Sequence, residues 1–436
     1  MTQNERFVET YRELLRFRTI SAEHREIRET AHFLRDLLIS NGFSADVLET
    51  GGHPVVSGNL NLGKKRTLLV YNHYDVQPVD PVDEWNSDPF SAEIRDGRIY
   101  ARGASDNKGT LVARLFGMIN AIKSGKINVN LKIIYEGEEE IGSPSLEKFV
   151  NRNRELLSSD AVIMEGSTLG EDGRPIVSLG VKGLVYAQLE EEIADSDMHS
   201  SFASIAPNAA WNLVKHLSAL YENDSVLLPG FYESIKPLSP EEERLLEDYP
   251  FHEETFKESF GLKYLKHEGR DSLVRSLFCS PTFNIDGIYS GYAGEGSKTV
   301  TPRKASAKVD FRLVPDQDPE KVYHSFMDAL RKNGFKGTIN HLGLEYPVRT
   351  SVNSMISRAM IESAKNVYKK EPIVMINSPG TQPMALFTRN LGIKEAVSAI
   401  GVGDNKSRAH APNESVSVDN FLLSIRHTEK FLEIFM

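Results

Sequence analysis

Three times in the first 165 residues a short apolar run ends directly in residues that bind metals or move protons. Thr67-Leu68-Leu69-Val70-Tyr71 leads into Asn72-His73-Tyr74-Asp75, and Asn130-Leu131-Lys132-Ile133-Ile134-Tyr135 leads into Glu136-Gly137-Glu138-Glu139-Glu140. Ala161-Val162-Ile163-Met164 stops at Glu165-Gly166. Runs this short and apolar read as strands buried on both faces, the texture of a parallel sheet. Phe7, Val8, Tyr11, Leu14 and Leu15 have helical spacing, as do Ile27, Ala31, Leu34 and Leu38, with Gly42 as the stop of the second helix. A third stripe runs through Leu111, Leu115, Met118, Ile119 and Ile122. Helices alternating with such strands predict an α/β unit, and open α/β sheets build their sites beyond the carboxyl ends of parallel strands.

Each candidate alone has an ordinary explanation. A histidine closing a strand is commonly just polar, the Glu138-Glu139-Glu140 run resembles a solvated face, and an aspartate between glycines is a turn former. Recurrence at successive strand ends is what departs from chance. Asp75 lies two residues after His73, and in extended backbone both side chains point the same way. Asp75 is therefore placed to accept the second ring N–H of a metal-bound His73.

Two divalent ions held close together require a bridging carboxylate, imidazoles, further carboxylates and open positions for water. Asp106, on the turn Gly103-Ala104-Ser105-Asp106-Asn107-Lys108-Gly109, is the natural bridge. His73 and His410 would supply one imidazole per metal, and Glu140 and Glu165 the terminal carboxylates. Glu139 is left beside the metals, free to take a proton from water and pass it to a leaving amine. Zinc suits this His/carboxylate set, and manganese and cobalt suit it too. The only cysteine is Cys279, so no thiolate set is available, no intrachain disulfide forms and a reducing cytoplasm is expected.

From residue 182 the texture changes. Amphipathic strands are predicted at 184–191, 283–289, 305–314 and 338–344, with helices over 208–221 and 319–333. Strand–helix–strand–strand–helix–strand implies a small antiparallel α+β unit over 182–347, inserted into a discontinuous catalytic unit of 1–181 and 348–436. Residues 222–280 carry little pattern beyond a helix near 240–247, and Ser143-Pro144 reads as the N-cap and first residue of another helix. A net charge of −10 with no basic stripe argues against nucleic-acid and anionic-membrane partners. No apolar run approaches the roughly 20 residues of a membrane span, and the first residues lack the pattern of a signal peptide.

The segments Asn72-His73-Tyr74-Asp75-Val76-Gln77-Pro78, Gly103-Ala104-Ser105-Asp106-Asn107-Lys108-Gly109 and Glu136-Gly137-Glu138-Glu139-Glu140-Ile141-Gly142-Ser143 closely resemble those of the M20 co-catalytic metallopeptidases. Within that family they look most like the carnosinase-type and cytosolic dipeptidase branch. The resemblance implies a zinc-peptidase-like catalytic domain, a mostly parallel sheet with helices on both faces. It also implies an inserted ferredoxin-like lid that dimerises. It assigns His73, Asp106, Glu140, Glu165 and His410 as ligands of two metals, Glu139 as general acid/base and Asp75 as the residue orienting His73. It further implies a cis peptide after Asp106, a His199 that crosses the dimer interface to polarise the scissile carbonyl, and an Arg312 that grips the substrate's C-terminal carboxylate. Ser378 and Gly380 fall where relatives carry a glycine-rich substrate loop.

Two departures matter. Relatives often have glycines after His-Ser where this chain has His199-Ser200-Ser201-Phe202-Ala203, and dipeptidase-type relatives usually have Asp at the position of Glu165. The expected activity is cleavage of dipeptides or short peptides with a free C-terminal carboxylate. N-acyl-amino-acid deacylation needs the same parts, and a non-catalytic peptide- or metal-binding protein is a third reading.

Overall fold

The computed structural model describes residues 2–435; Met1 and Met436, the outer limits of the expected catalytic unit, lie outside them. The larger sheet has eight strands in the order Ser44–Leu48, Val55–Leu60, Val129–Glu136, Arg66–His73, Ala161–Met164, Glu395–Ser398, Ile176–Ser178 and Ile373–Met375. The four central strands, from Val129–Glu136 to Glu395–Ser398, are parallel. The edge strands Ser44–Leu48 and Val55–Leu60 run antiparallel, as does the contact between Glu395–Ser398 and Ile176–Ser178. The sheet is thus mixed: its covered centre is parallel, and a second parallel pair, Ile176–Ser178 with Ile373–Met375, closes the far edge.

The strand carrying His73 shows why its sequence is a continuous apolar run. Leu68 and Val70 enter one core with the helices Gln3–Leu15, Ile27–Ser40, Gly109–Lys123, Met355–Tyr368 and Val418–Ile434, whereas Leu69 and Tyr71 enter a second with Leu146, Phe149 and Phe387. Successive side chains alternate between two helix layers. The helices Gly109–Lys123 and Val418–Ile434 pack so closely that a Cβ on Gly117 would lie 2.4 Å from Cβ of Thr428.

The second sheet is fully antiparallel, in the order Thr282–Ser290, Lys304–Leu313, Gly183–Glu192 and Thr338–Glu345. Numbered along the chain this is 2-3-1-4. With the helices Ala209–Ser218 and Pro319–Lys332 packed on one face, it is the ferredoxin-like arrangement implied above. Strand Gly183–Glu192 alternates buried and part-exposed residues, as a sheet with one covered face should. Where the chain passes between the two sheets, Gly180–Val181 pairs with Val348–Arg349.

Two local expectations are corrected. The helix after the acidic loop begins at Leu146, not at Pro144. Ser143 has φ 52°, and its backbone N–H donates to the Glu138 carbonyl at 2.8 Å, so it closes the acidic turn instead of capping a helix. Residues 222–280 hold three helices, Pro240–Glu247, Glu253–Phe260 and Arg270–Cys279. Each is short and buries at most two side chains, too few to leave a readable stripe.

Candidate metal centre

His73 is the last residue of its strand and is fully buried. Its Nδ1 lies 3.2 Å from the Asp75 carbonyl oxygen and 3.3 Å from Asp75 Oδ1. Both are acceptors, so Nδ1 carries a hydrogen, which leaves Nε2 as the nitrogen that would face a cation. Asp75 does a second job: its carboxylate accepts the backbone N–H groups of Glu139, at 3.3 Å, and Glu140, at 3.0 Å. The residue that orients the ring also places the acidic loop.

Asp106 sits in the turn at the start of the helix Gly109–Lys123, with a cis peptide to Asn107. Its Oδ1 lies 3.1 Å from His73 Nε2, and its Oδ2 lies 3.1 Å from His410 Nε2. One carboxylate thus faces two imidazoles, one oxygen each. His410 Nε2 is also 3.2 Å from Glu140 Oε2, which accepts from Gln77 Nε2 at 2.9 Å. His73, Asp106 and Glu140 form one group able to hold a cation, and His73, Glu139 and Glu165 form another. Glu139 Oε2 stands 4.0 Å from His73 Nε2.

These residues fit divalent cations. Four carboxylates crowd around two imidazoles, and one oxygen each of Glu140 and Glu165 is buried without a donor. Buried anionic oxygens without partners are costly, and oxygen and imidazole donors suit divalent ions. The titration behaviour follows from the same crowding. Burial opposes a charge on His73, but hydrogen bonds to Asp106 and Asp75 outweigh it and raise the ring well above its usual range. Hydrogen bonds to Asp106 and Glu140 push His410 up to about 10. Burial, reinforced by Glu140, Asp106 and Asp75 against the opposing His73, pushes Glu139 up to about 7. Burial and the Glu139 charge also raise Glu165 well above the usual carboxylate range. The cluster gathers protons because it concentrates negative charge.

Supporting residues that sequence reasoning did not single out lie behind the centre. Buried Glu414 cradles the Asp106 turn, and buried Arg114 donates to the Tyr71 carbonyl at 3.1 Å and to Asn72 Oδ1 at 3.2 Å. Asn72 Nδ2 in turn donates to Asn107 Oδ1. In a sequence, an isolated Arg or Glu resembles a surface residue, and only partners distant along the chain mark these as interior.

The hydrogen bonds of the remaining candidates go to residues other than the acidic cluster. His199 Nδ1 accepts the Ser201 backbone N–H at 3.1 Å, and its Nε2 is 3.5 Å from Thr299 Oγ1, both contacts within 182–347. Arg312 donates from Nη1 to Thr381 Oγ1 at 2.9 Å, and its Nε is 3.3 Å from Asp310 Oδ1. Ser378 and Gly380 are pinned to the crossover ribbon. The Ser378 N–H donates to the Gly180 carbonyl at 2.7 Å, and the Lys182 N–H is shared between the Ser378 and Gly380 carbonyls, at 3.1 Å each.

A family model described as peptidase family M20/M25/M40 matches residues 69–434, a span that includes every residue of the cluster. Among curated proteins, the Cys-Gly metallodipeptidase DUG1 of Candida albicans is 28% identical over 454 residues, covering 96% of this chain and 92% of that protein. The human Beta-Ala-His dipeptidase is 28% identical over 388 residues, covering 85% of this chain and 75% of that protein. Among solved structures, the M20 family metallo-carboxypeptidase Sso-CP2 from Sulfolobus solfataricus is similar with a TM-score of 0.95 and 48% identity, covering 100% of this chain and 99% of that one. With the match running from the His73 strand into the closing helix, this chain belongs to peptidase family M20/M25/M40.

Proposed function

We propose that this chain is a two-metal hydrolase that cleaves the amide bond of dipeptides or short peptides bearing a free C-terminal carboxylate, as a dipeptidase or carboxypeptidase. One observation carries the reading. Glu139 stands 4.0 Å from His73 Nε2, outside the pair of oxygens that Asp106 turns to the two imidazoles, and is pushed up to about 7 by burial. A carboxylate titrating near neutrality is suited both to accept and to return a proton.

His73, Asp106, Glu140, Glu165 and His410 would hold the metals, with Asp106 between them and zinc as the preferred ion. Bound divalent ions supply Lewis-acid polarisation of the carbonyl and lower the pKa of water. Glu139 takes the proton that water loses in attacking the carbonyl carbon, then delivers it to the nitrogen as the C–N bond breaks. Arg312 pairs with the substrate carboxylate, a task suited to a guanidinium fork, and its contact with Thr381 supports a role for the 378–381 loop in the same pocket. His199, supplied by a second copy, donates to the carbonyl oxygen. The Ser201 N–H entering its Nδ1 supports this by leaving the ring hydrogen on Nε2.

The proposal extends to a discontinuous catalytic unit, 1–181 and 348–436, and an inserted unit, 182–347, through which the chain forms a homodimer. Support comes from the apolar side chains exposed on that unit: Ile285, Ile288 and Tyr289 on its edge strand and Trp211 on a helix. Among the described residues no helix is long and apolar enough to cross a membrane, and a cytoplasmic location suits a chain whose only cysteine is Cys279.

N-acyl-amino-acid deacylation is a second reading, kept by Glu165 in a position where dipeptidase-type relatives carry Asp. A panel of dipeptides, longer peptides and acyl amino acids, assayed under zinc, manganese and cobalt, separates the two. Turnover confined to acyl amino acids would replace the peptidase reading.

A further inference from the structure

Glu139 rides on a loop held at two points. Asp75 grips it from one side, through the N–H groups of Glu139 and Glu140. The entry to the loop is gripped from the other side by a histidine pair that no step above uses. His53 Nδ1 lies 2.6 Å from the Gly137 carbonyl oxygen, and the His53 backbone N–H donates to Glu138 Oε1 at 2.9 Å. His24 Nδ1 lies 2.7 Å from His53 Nε2, with the two rings at 85°. His53 is buried and His24 is exposed. The fit is close: a Cβ on Gly52 would lie 1.9 Å from Glu138 Oε1, and one on Gly137 would lie 2.5 Å from the Tyr74 hydroxyl oxygen.

Hydrogen-bond accounting gives this chain one direction when both rings are neutral. A carbonyl oxygen only accepts, so His53 Nδ1 carries hydrogen. In a neutral ring Nε2 is then an acceptor, and His24 Nδ1 must donate to it. Hydrogen bonds therefore run from His24 at the surface, through His53, to the Gly137 carbonyl two residues before Glu139. We propose that His53, held in its tautomer by His24, is a positioning residue for Glu139. It fixes the Gly137–Glu138 peptide, and with Asp75 it fixes where the Glu139 carboxylate stands. The inference rests on the reading of Glu139 as the acid/base.

The test compares His53→Ala, His53→Asn, His24→Ala and Glu139→Gln in the full-length, metal-loaded protein acting on a dipeptide. Misplacing a catalytic group by about 1 Å lowers turnover by roughly 10- to 100-fold, and that loss in kcat is expected for His53→Ala, with KM and bound metal unchanged. Asn offers an N–H near the Nδ1 position and should regain most of the turnover, and His24→Ala should show a smaller loss in kcat alone. Hydrogen–deuterium exchange of the metal-free protein should quicken over 138–142 in His53→Ala and return towards wild type in His53→Asn. The proposal is overturned by unchanged kcat in His53→Ala, by a loss confined to KM or metal content, or by an Asn variant no better than Ala. If His53→Ala does not fold, His24→Ala alters only an exposed side chain, and unchanged kcat there overturns the proposal equally. Retained turnover in Glu139→Gln would instead overturn the acid/base reading itself.

Discussion

Oε1 of Glu414 accepts the backbone N–H of Asp106 at 3.0 Å, tying a fully buried carboxylate to the residue that faces both imidazoles. The same group accepts from the N–H of Ser105 at 2.8 Å, the N–H of Gly103 at 2.9 Å and Arg102 Nη1 at 2.8 Å. Glu414→Ala would leave Arg102 buried without its partner. Breaking such a pair costs about 3–5 kcal/mol, so urea unfolding should show a loss of that order. Metal affinity, read by calorimetric titration, should fall with it. Unchanged stability would mean that the Asp106 turn holds itself.

Glu139→Gln preserves shape and removes the proton acceptor. Turnover should fall by on the order of 10²–10⁴-fold, while metal content, measured on the purified protein, stays at the wild-type ratio. A matching loss of metal would make Glu139 a ligand and not the acid/base.

The proton-gathering cluster predicts how metal stabilisation depends on pH. Burial raises Glu139 from 4.5 to about 7, and hydrogen bonds to Asp106 and Glu140 raise His410 from 6.5 to about 10. Groups with raised folded-state pKa values bind protons more tightly when folded. Their contribution to the metal-free protein therefore declines between pH 4.5 and about 7 for Glu139, and between 6.5 and about 10 for His410. A cation displaces the proton of a ligand such as His410 and its charge weakens proton binding at the neighbouring Glu139, so the gap in Tm between metal-loaded and chelator-treated protein should widen as pH rises over this range. Buried groups elsewhere, such as His427 and Lys182, cancel in that difference. A gap that stays constant or narrows would count against the assignment.

Arg312→Ala should lower kcat/KM on substrates with a free C-terminal carboxylate and spare their amidated counterparts. A hydrogen bond to a charged group contributes about 1.5–3 kcal/mol, which corresponds to roughly 10- to 150-fold. Equal losses on both substrates would remove Arg312 from carboxylate recognition.

Parts of this arrangement were legible in the sequence for a definite reason. Central strands buried on both faces must be spelled as apolar runs, and His73, Glu139, Glu140 and Glu165 follow such runs directly. His410 and Glu414 belong to a polar loop whose meaning depends on contacts with residues about 300 positions earlier, Asp106 and Gly103 among them. For His410 the family resemblance added what pattern alone did not. Arg114 and His53 are interior polar residues with no periodic signature. The helices Glu253–Phe260 and Arg270–Cys279 are too short and too exposed for a 3.6-residue rhythm to stand out. Ser143-Pro144 misled because a serine before a proline has the composition of a helix start, whereas its N–H was already committed to Glu138.

Asp75 is a shared hinge-pin: it sets the ring of His73 and, through two amides, the backbone of Glu139 and Glu140. Under the roles proposed above, metal preference and proton transfer are therefore not separately adjustable at this position. Anyone redesigning the centre for a different ion would do better to begin at His410, which is half-exposed and makes its contacts to Asp106 and Glu140 side chains and not to Asp75, than at position 75, where retuning one function detunes the other.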